Sequence, residues 1–404
     1  MTVARAIRPK IEEALSDTPV VLLHGARQVG KTTLVRSFTN YEYFTLDNAT
    51  TRALAQTDPT GFIQGLPKNS IIDEIQLVPE LMPAIKERID NNRQAGTFLL
   101  TGSANVLLIP KASESLAGRM EILTLAPLSQ SEIANTNNTF IDNLFNNKTI
   151  VHNGAINKAD LTKRMLQGGY PEARTRNEKR RQAWFEAYIT TILTRDVRDL
   201  ANIEGIAQLP RLLALIAARN SNLLNLSDIA NNANIAYTTL NRYMALLEAT
   251  FLIRLVQPWS GNFTNRLVKS PKVYLIDTAL ITALLGINQT NLELNPLYGN
   301  LLENFIVSEL HKLVSWSDTN PKAYHFRTQA QQEVDVILES TNGQLLALEI
   351  KASATVTPSD FKGLKTLQAQ TSDRFVHGAV LYTGDKIIPF GERLSAIPLT
   401  ALWT

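Results

Sequence analysis

The sequence predicts an α/β protein of several domains that begins with a parallel sheet. Three observations carry this. The chain has 404 residues, too many for one core of ordinary size. Short segments in its first third are apolar on both faces and are spaced by helical stretches, as buried parallel strands are. A glycine-rich turn joins the first of these strands to the helix after it.

The strands fall at 19–23 (PVVLL), 43–46 (YFTL), 70–72 (SII), 97–100 (TFLL) and 121–125 (EILTL). From 133 to 160 the chain turns polar and Asn-rich (NTNNTF, FNNKT), which reads as a loop or insertion. Residues 164–199 read as helical, with a turn at Gly168-Gly169-Tyr170-Pro171 and five basic residues between Arg174 and Arg181. Further on, Ser227 would cap a short helix opening at Leu226. A turn at 231–235 then leads to a second helix at 237–249, which together suit a helix-turn-helix. Strands at 251–255 and 272–276 would complete a winged helix. A helix at 301–313 and strands at 333–338 and 345–351 follow.

Composition narrows the function. Apolar residues make up 44%, ordinary for a globular protein. The net charge of +3 means that any nucleic-acid surface is a local patch. The absence of cysteine excludes disulfides, thiol catalysis and thiolate zinc sites. The five histidines form no HxxxH pair. The amphipathic N-terminus lacks a signal-peptide core, and no run of about 18 uncharged apolar residues occurs, so no membrane span is expected. A cytoplasmic protein is the default expectation.

The turn after the first strand, Gly25-Ala26-Arg27-Gln28-Val29-Gly30-Lys31-Thr32, matches GxxxxGK[ST]. Phosphates need backbone N–H groups converging at a helix N-terminus, and glycines permit the approach. Lys31 would reach the β and γ phosphates of ATP, and Thr32 would hold Mg2+. The nucleotide-binding set runs from Gly25 through Thr33. The strand at 70–72 ends in Asp73 and Glu74. Asp73 would bind the metal through water, and Glu74 would polarise the attacking water. Ser103, after the next strand, would sense the γ phosphate, with Asn105 as a rival. Arg119 would either reach a neighbouring subunit's γ phosphate or sit solvated on the surface.

Together with LDN at 46–48, IIDEIQ at 71–76, LLTGS at 99–103 and LAGRMEILTLAPLS at 116–129, this loop resembles those of prokaryotic AAA+ class ATPases. The second half, with TRD at 194–196, QEVDVIL and LEIKAS, looks like the domain usually fused to them. The resemblance implies an ATPase core at 1–135, a helical lid or linker at 136–204, a winged helix at 205–288 and a restriction-endonuclease-like domain at 289–404. It also implies a homo-oligomer, often a hexameric ring.

DNA is the expected partner. Residues 237–243 (YTTLNRY) would lie on the recognition helix, where hydroxyls, an amide and Arg242 suit phosphate and base-edge contacts. The wing, 259–272, holds Arg266, Lys269 and Lys272 with Trp259 and Phe263 between them, which suits backbone tracking and stacking. The alternative is a winged helix used for protein contacts.

In the C-terminal part, Glu349 and Lys351 are two apart on one strand and share a sheet face. A three-residue loop with Gly343 left-handed would pair Asp335 with Glu349 on that face. A two-residue Asn-Gly loop would send Glu349 to the other face. The first arrangement offers two carboxylates to a divalent metal and a lysine to orient water. This is the D…ExK pattern of restriction-endonuclease-like and junction-resolving folds. Glu303 on the preceding helix resembles their extra acid. The expectation is an ATPase acting on DNA, branched DNA included, with a nuclease-like C-terminal domain. The rival is a signalling ATPase switch whose C-terminal half binds protein. A small-molecule phosphotransferase is disfavoured because no acceptor pocket is readable.

Overall fold

The computed structural model describes residues 3–103, 116–197, 206–262, 266, 269–328 and 330–404. The chain divides into two compact units. One comprises Arg5–Pro127 with Ala249–Leu252, and the other is built on Leu128–Glu248 and Ile253–Thr404.

In the first unit α1 (Arg8–Asp17) leads into β1 (Val20–His24), α2 (Lys31–Val35), β2 (Glu42–Thr45), α3 (Ala49–Thr57) and α4 (Pro59–Gly65). Then come β3 (Ser70–Asp73), α5 (Leu81–Asn91), β4 (Phe98–Gly102) and β5 (Met120–Thr124). The sheet runs β2-β3-β4-β1-β5, and every neighbouring pair is parallel. Val20, Val21, Leu22 and Leu23 are all fully buried, so β1 is covered on both faces, as its unbroken apolar run requires. Val20, Leu22, Ile72, Phe98 and Leu100 pack with Ile63, Leu81, Ile85 and Ile89 of the helices. Asn48 and Asp58 start α3 and α4 by accepting from the backbone N–H of Thr51 and Gly61, satisfying donors that a helix start leaves open. The parallel register gathers the C-terminal ends of β1, β3 and β4 at one edge.

In the second unit, helices Leu209–Ala218, Leu226–Ala233 and Tyr237–Ala249 precede an antiparallel ribbon of β6 (Ile253–Val256) and β7 (Lys272–Leu275). The cap of the middle helix is Asn225, which accepts from Asp228 N–H, and not Ser227 as the sequence suggests. After helices Thr278–Leu285 and Tyr298–Val314 come β8 (Lys322–Arg327), β9 (Glu333–Glu339), β10 (Leu345–Ile350), β11 (Phe375–Tyr382), β12 (Ile388–Pro389) and β13 (Leu394–Pro398). They form a mixed sheet in the order β12-β13-β11-β10-β9-β8. Helix Lys362–Thr371 lies between β10 and β11 in the chain.

The Asn-rich stretch expected as a loop contributes a helix, Phe140–Phe145, with Phe140, Ile141, Leu144 and Phe145 buried. Asn138 Nδ2 donates to the carbonyls of Ala401 at 2.8 Å and Thr404 at 3.0 Å. Amides are suited to this because the last carbonyls of a helical turn lack intrahelical partners. Among the described residues, no helix is long and apolar enough to cross a membrane.

Helix Lys362–Thr371 can approach β9 because Gly363 has no Cβ. A Cβ there would lie 2.0 Å from the Glu333 carbonyl oxygen, a backbone atom that cannot swing aside. Gly363→Ala is expected to cost roughly 1–3 kcal/mol, the usual range for overpacking. Urea unfolding of the full chain should show the loss, and an unchanged midpoint would refute the close approach.

Candidate functional site

The loop after β1 is set by backbone geometry. Gly25 has φ +152°, and a Cβ there would stand 2.2 Å from the Leu125 carbonyl oxygen, so only glycine fits. Gly30 is left-handed and precedes α2. Ala26 and Val29 are buried, Arg27 is half-buried, and Gln28 and Thr33 are exposed. Arg5 clamps the loop by donating to Val29 O and Ala126 O, both at 2.7 Å. Lys31 is buried at the head of α2, and its Nζ donates to Gly25 O at 3.0 Å and Ala26 O at 2.9 Å. A β or γ phosphate would compete with those carbonyls for the ammonium.

Asp73, 2% exposed at the end of β3, is the hub. Thr32 Oγ1 donates to its Oδ2 at 3.0 Å and Tyr43 OH at 2.6 Å. Thr101 Oγ1 donates to Oδ1. A threonine hydroxyl against a carboxylate is a hard-oxygen donor pair of the kind Mg2+ takes, so these residues fit the metal. Glu74 is left-handed at φ +63°, and its N–H donates to Thr101 Oγ1 at 3.0 Å. Gln76 Nε2 donates to Glu74 Oε2 and to Ser103 Oγ, the latter at 2.9 Å. Ser103 N–H returns to Gln76 Oε1 at 3.4 Å. Gln76 thus joins the expected base to the expected sensor.

Arg5, Tyr43, Gln76 and Thr101 escaped the sequence reading. Gln76 and Thr101 lay inside quoted motifs, two residues from Glu74 and Ser103, and that spacing was the available signal. Asn105 lies outside the described residues. Arg119 precedes β5, and Met120 pairs with Val20 at the start of β1, whereas the loop follows the end of β1. The arginine is therefore at the far end of the sheet from its own loop, where its Nε pairs with Asp90.

In the second unit, Leu345 pairs with Glu339 and Leu348 with Val336, and Gly343 is left-handed. The loop is therefore the three-residue one, and continuing the register sets Glu349 opposite Asp335 on one face. A lysine stands beside the expected metal set of Glu303, Asp335 and Glu349. Lys272 Nζ lies 2.9 Å from Glu303 Oε1, 2.6 Å from Glu333 Oε1 and 3.3 Å from Asp335 Oδ1. Among the described residues, no group of three or more acidic or histidine side chains is arranged to hold a metal ion. Tyr274 OH also donates to Glu303 Oε1, at 2.6 Å, and Ile350 N–H to Asp335 Oδ2, at 2.9 Å. Lys351 Nζ meets Glu349 Oε1 at 2.8 Å.

Burial and the neighbouring Asp335 push Glu303 up to about 7 and Glu349 up to about 8. Burial works against the charge on Lys272, but Asp335, Glu303 and Glu333 outweigh it and raise its pKa well above the usual lysine value.

The wing needs correction too. Lys272 is 3% exposed on β7 and cannot meet a phosphate. Arg266 is buried in an ion pair with Glu339 at 2.6 Å. Trp259 belongs to the core beneath the six-stranded sheet. Lys269 and Arg242 are exposed, and Phe263 lies outside the described residues.

The parallel sheet, the glycine loop and the Thr32–Asp73 contact define a P-loop ATPase domain. Residues 17–134 match the family described as an AAA domain. Residues 158–291 and 298–402 match two domains of unknown function, DUF8612 and DUF4143. The chain is 32% identical over 400 residues to uncharacterized protein Rv2008c of Mycobacterium tuberculosis, covering 98% of this chain and 83% of the relative. The same values hold for uncharacterized protein Mb2031c of Mycobacterium bovis. The chain belongs to the family of these two proteins. A Walker-type ATPase of Pyrococcus abyssi overlaps 69% of this chain and 94% of its own at TM-score 0.44 and 16% identity. A signal-transduction ATPase with a tetratricopeptide-repeat sensor, from Pyrococcus horikoshii, overlaps 78% and 47% at TM-score 0.21 and 9% identity. At those scores neither overlap bears on function.

His24, which ends β1, gives the unit an acid limit. Burial and then the charge of Lys31 lower its pKa from 6.5 to about 4, and its Nε2 lies 2.7 Å from Thr124 Oγ1. The unfolded chain binds a proton as pH falls below about 6.5, while the folded chain does not until about 4. Stability is therefore lost as pH drops through that window, by roughly 3 kcal/mol at most. His24→Gln should flatten the fall in Tm between pH 6.5 and 4. Parallel curves for wild type and variant would count against it.

Proposed function

We propose that the first unit binds ATP with Mg2+ and hydrolyses it, and that the second unit engages DNA. The observation that carries the first part is the arrangement at the ends of β1, β3 and β4. There Lys31 heads a helix, Thr32 touches Asp73, and Glu74 is linked to Ser103 through Gln76. Loop N–H groups and Lys31 would hold the β and γ phosphates. Thr32 and Asp73 would hold Mg2+, which offsets the charge on the phosphates. Glu74 would accept a proton from the attacking water. Ser103 would respond to the γ phosphate, and Gln76 would pass that response to the base.

Support for DNA comes from helix Tyr237–Ala249, where Thr238, Asn241 and Arg242 are exposed, and from exposed Lys269 ahead of β7. The order of three helices and a ribbon favours a winged helix. The shared face of Asp335, Glu349 and Lys351 favours a restriction-endonuclease-like fold. A second reading, a signalling switch whose C-terminal half binds protein, is favoured by the burial of Arg266, Lys272 and Trp259, which removes three of the wing's contacts. Arg119, remote from its own loop, would serve only a neighbour's site, as in a ring of subunits.

Lys31→Ala should abolish turnover and weaken nucleotide binding, because the cation that reaches the transferred group is lost. Glu74→Gln should bind ATP normally and fail to hydrolyse it. A wild-type rate for Glu74→Gln would dismiss that residue as the base.

If DNA is the partner, duplex, forked or four-way DNA should stimulate turnover. Replacing Arg242 and Lys269 by Ala together should then lower the slope of log affinity against log salt by about 2, close to one per phosphate contact. An unchanged slope, with no DNA stimulation, would favour the protein-binding switch.

A further inference from the structure

We infer that Lys272 is the resident cation of the C-terminal carboxylate cluster, that the unit takes no divalent ion there, and that removing this one ammonium creates a metal site. The inference is independent of ATP hydrolysis in the first unit and survives if that reading fails.

The cluster gathers Glu303 from the helix before the sheet, Glu333 and Asp335 from β9 and Glu349 from β10. Among the described residues its ion pairs are made by Lys272 and Lys351, and they divide the work. Lys351 meets Glu349. Lys272 reaches Glu303, Glu333 and Asp335 within 3.3 Å. An ammonium has three N–H donors, so three carboxylates saturate it. A divalent ion bound by the same oxygens would overlap Nζ, since metal–oxygen distances are roughly 2.0–2.6 Å.

The ammonium cannot easily leave. Its side chain is 3% exposed. Its backbone is held on both sides, paired with Val256 in the ribbon and bridged to Leu223. Leu224 N–H also donates to the adjacent Pro271 carbonyl at 2.8 Å. A metal would have to displace a cation that the fold supplies at fixed position.

A second observation concerns what the lysine leaves unused. Glu349 Oε2 is buried and makes no hydrogen bond. It belongs to the residue opposite Asp335, whose Oδ1 Lys272 occupies. With Lys272 gone, that oxygen and the released carboxylates of Asp335, Glu303 and Glu333 would be free to draw together, from an arrangement that holds no metal as it stands, into an oxygen-only donor set of the kind hard divalent ions select.

Mn2+ binding to the nucleotide-free full chain tests this by electron paramagnetic resonance. Wild type and Asp335→Asn should bind Mn2+ alike, since any contribution from Thr32 and Asp73 is common to both. Lys272→Ala should gain about one further equivalent, displaced by Mg2+ or Ca2+ and lost again when Asp335→Asn is added. Its Tm should rise with Mn2+ more than the wild type's. Wild-type binding that depends on Asp335 would overturn the inference, and so would a folded Lys272→Ala that gains none. Should Lys272→Ala fail to fold, Lys272→Met keeps the apolar stem and takes its place. The comparison of wild type with Asp335→Asn decides, even without either, whether the unit takes a divalent ion beside Lys272.

Discussion

Carboxylates crowded at one end of a sheet cannot stay ionised together without a cation between them, and the second unit is built around the lysine that meets this need. Lys272 joins the ribbon to the helix Tyr298–Val314 through Glu303 and to β9 through Glu333 and Asp335. Arg266, which precedes β7, makes a parallel tie to Glu339 at the other end of β9. Its guanidinium also lies over the rings of Trp259 and Tyr324, at 5.3 and 5.0 Å. Arg266 and Lys272 thereby both tie to β9. Breaking such a buried pair typically costs about 3–5 kcal/mol, because the remaining charge is stranded in a poor solvent.

The nucleotide site solves the same electrostatic problem differently. Asp73 is as buried as Lys272, yet the hydroxyls of Thr32, Tyr43 and Thr101 hold it. Hydroxyls stabilise a carboxylate without neutralising it, and they can turn toward other partners at little cost. A hard divalent ion can therefore join Thr32 and Asp73 by rearranging hydrogen bonds. At the C-terminal cluster it would have to evict a tethered charge. Two sites rich in oxygen donors thus differ in metal demand because one already contains its cation.

Much of this was legible in the sequence, and what was not has a common cause. The unbroken apolar strands located the parallel sheet, and the glycine spacing located the phosphate loop, because both are local patterns. The three-residue turn at Thr341-Asn342-Gly343 was one of two local options, and the register chose between them. Gln76 was visible only as part of a motif, since its partner Ser103 lies 27 positions away. The Asn-rich stretch looked like a loop because polar side chains that cap backbone carbonyls resemble those that meet water. Arg266, Lys272 and Trp259 looked like a wing surface because basic and aromatic residues mixed in a short segment suit a polyanion. The partners of Arg266 and Lys272 are acidic residues on β9 and the helix before it, and for Lys272 one of them is 63 positions distant; Trp259 is taken up by the core. Charge read along the chain carries no information about such distant neutralisation.

The acid–x–lysine pattern on β10 shows the same limit in chemical terms. Glu349 and Lys351 share a face and meet at 2.8 Å, as the spacing requires. That geometry is compatible with metal-assisted hydrolysis and equally with a structural ion pair, because the pattern specifies ligands and not what they hold. The atom that meets them comes from outside it, on β7 of the ribbon. With an ammonium in that position, the carboxylates lack a Lewis acid to polarise a phosphate or to lower the pKa of water, the two services a divalent ion renders in hydrolysis. On the proposed reading, the second unit binds its partner without the divalent ion that cutting would need.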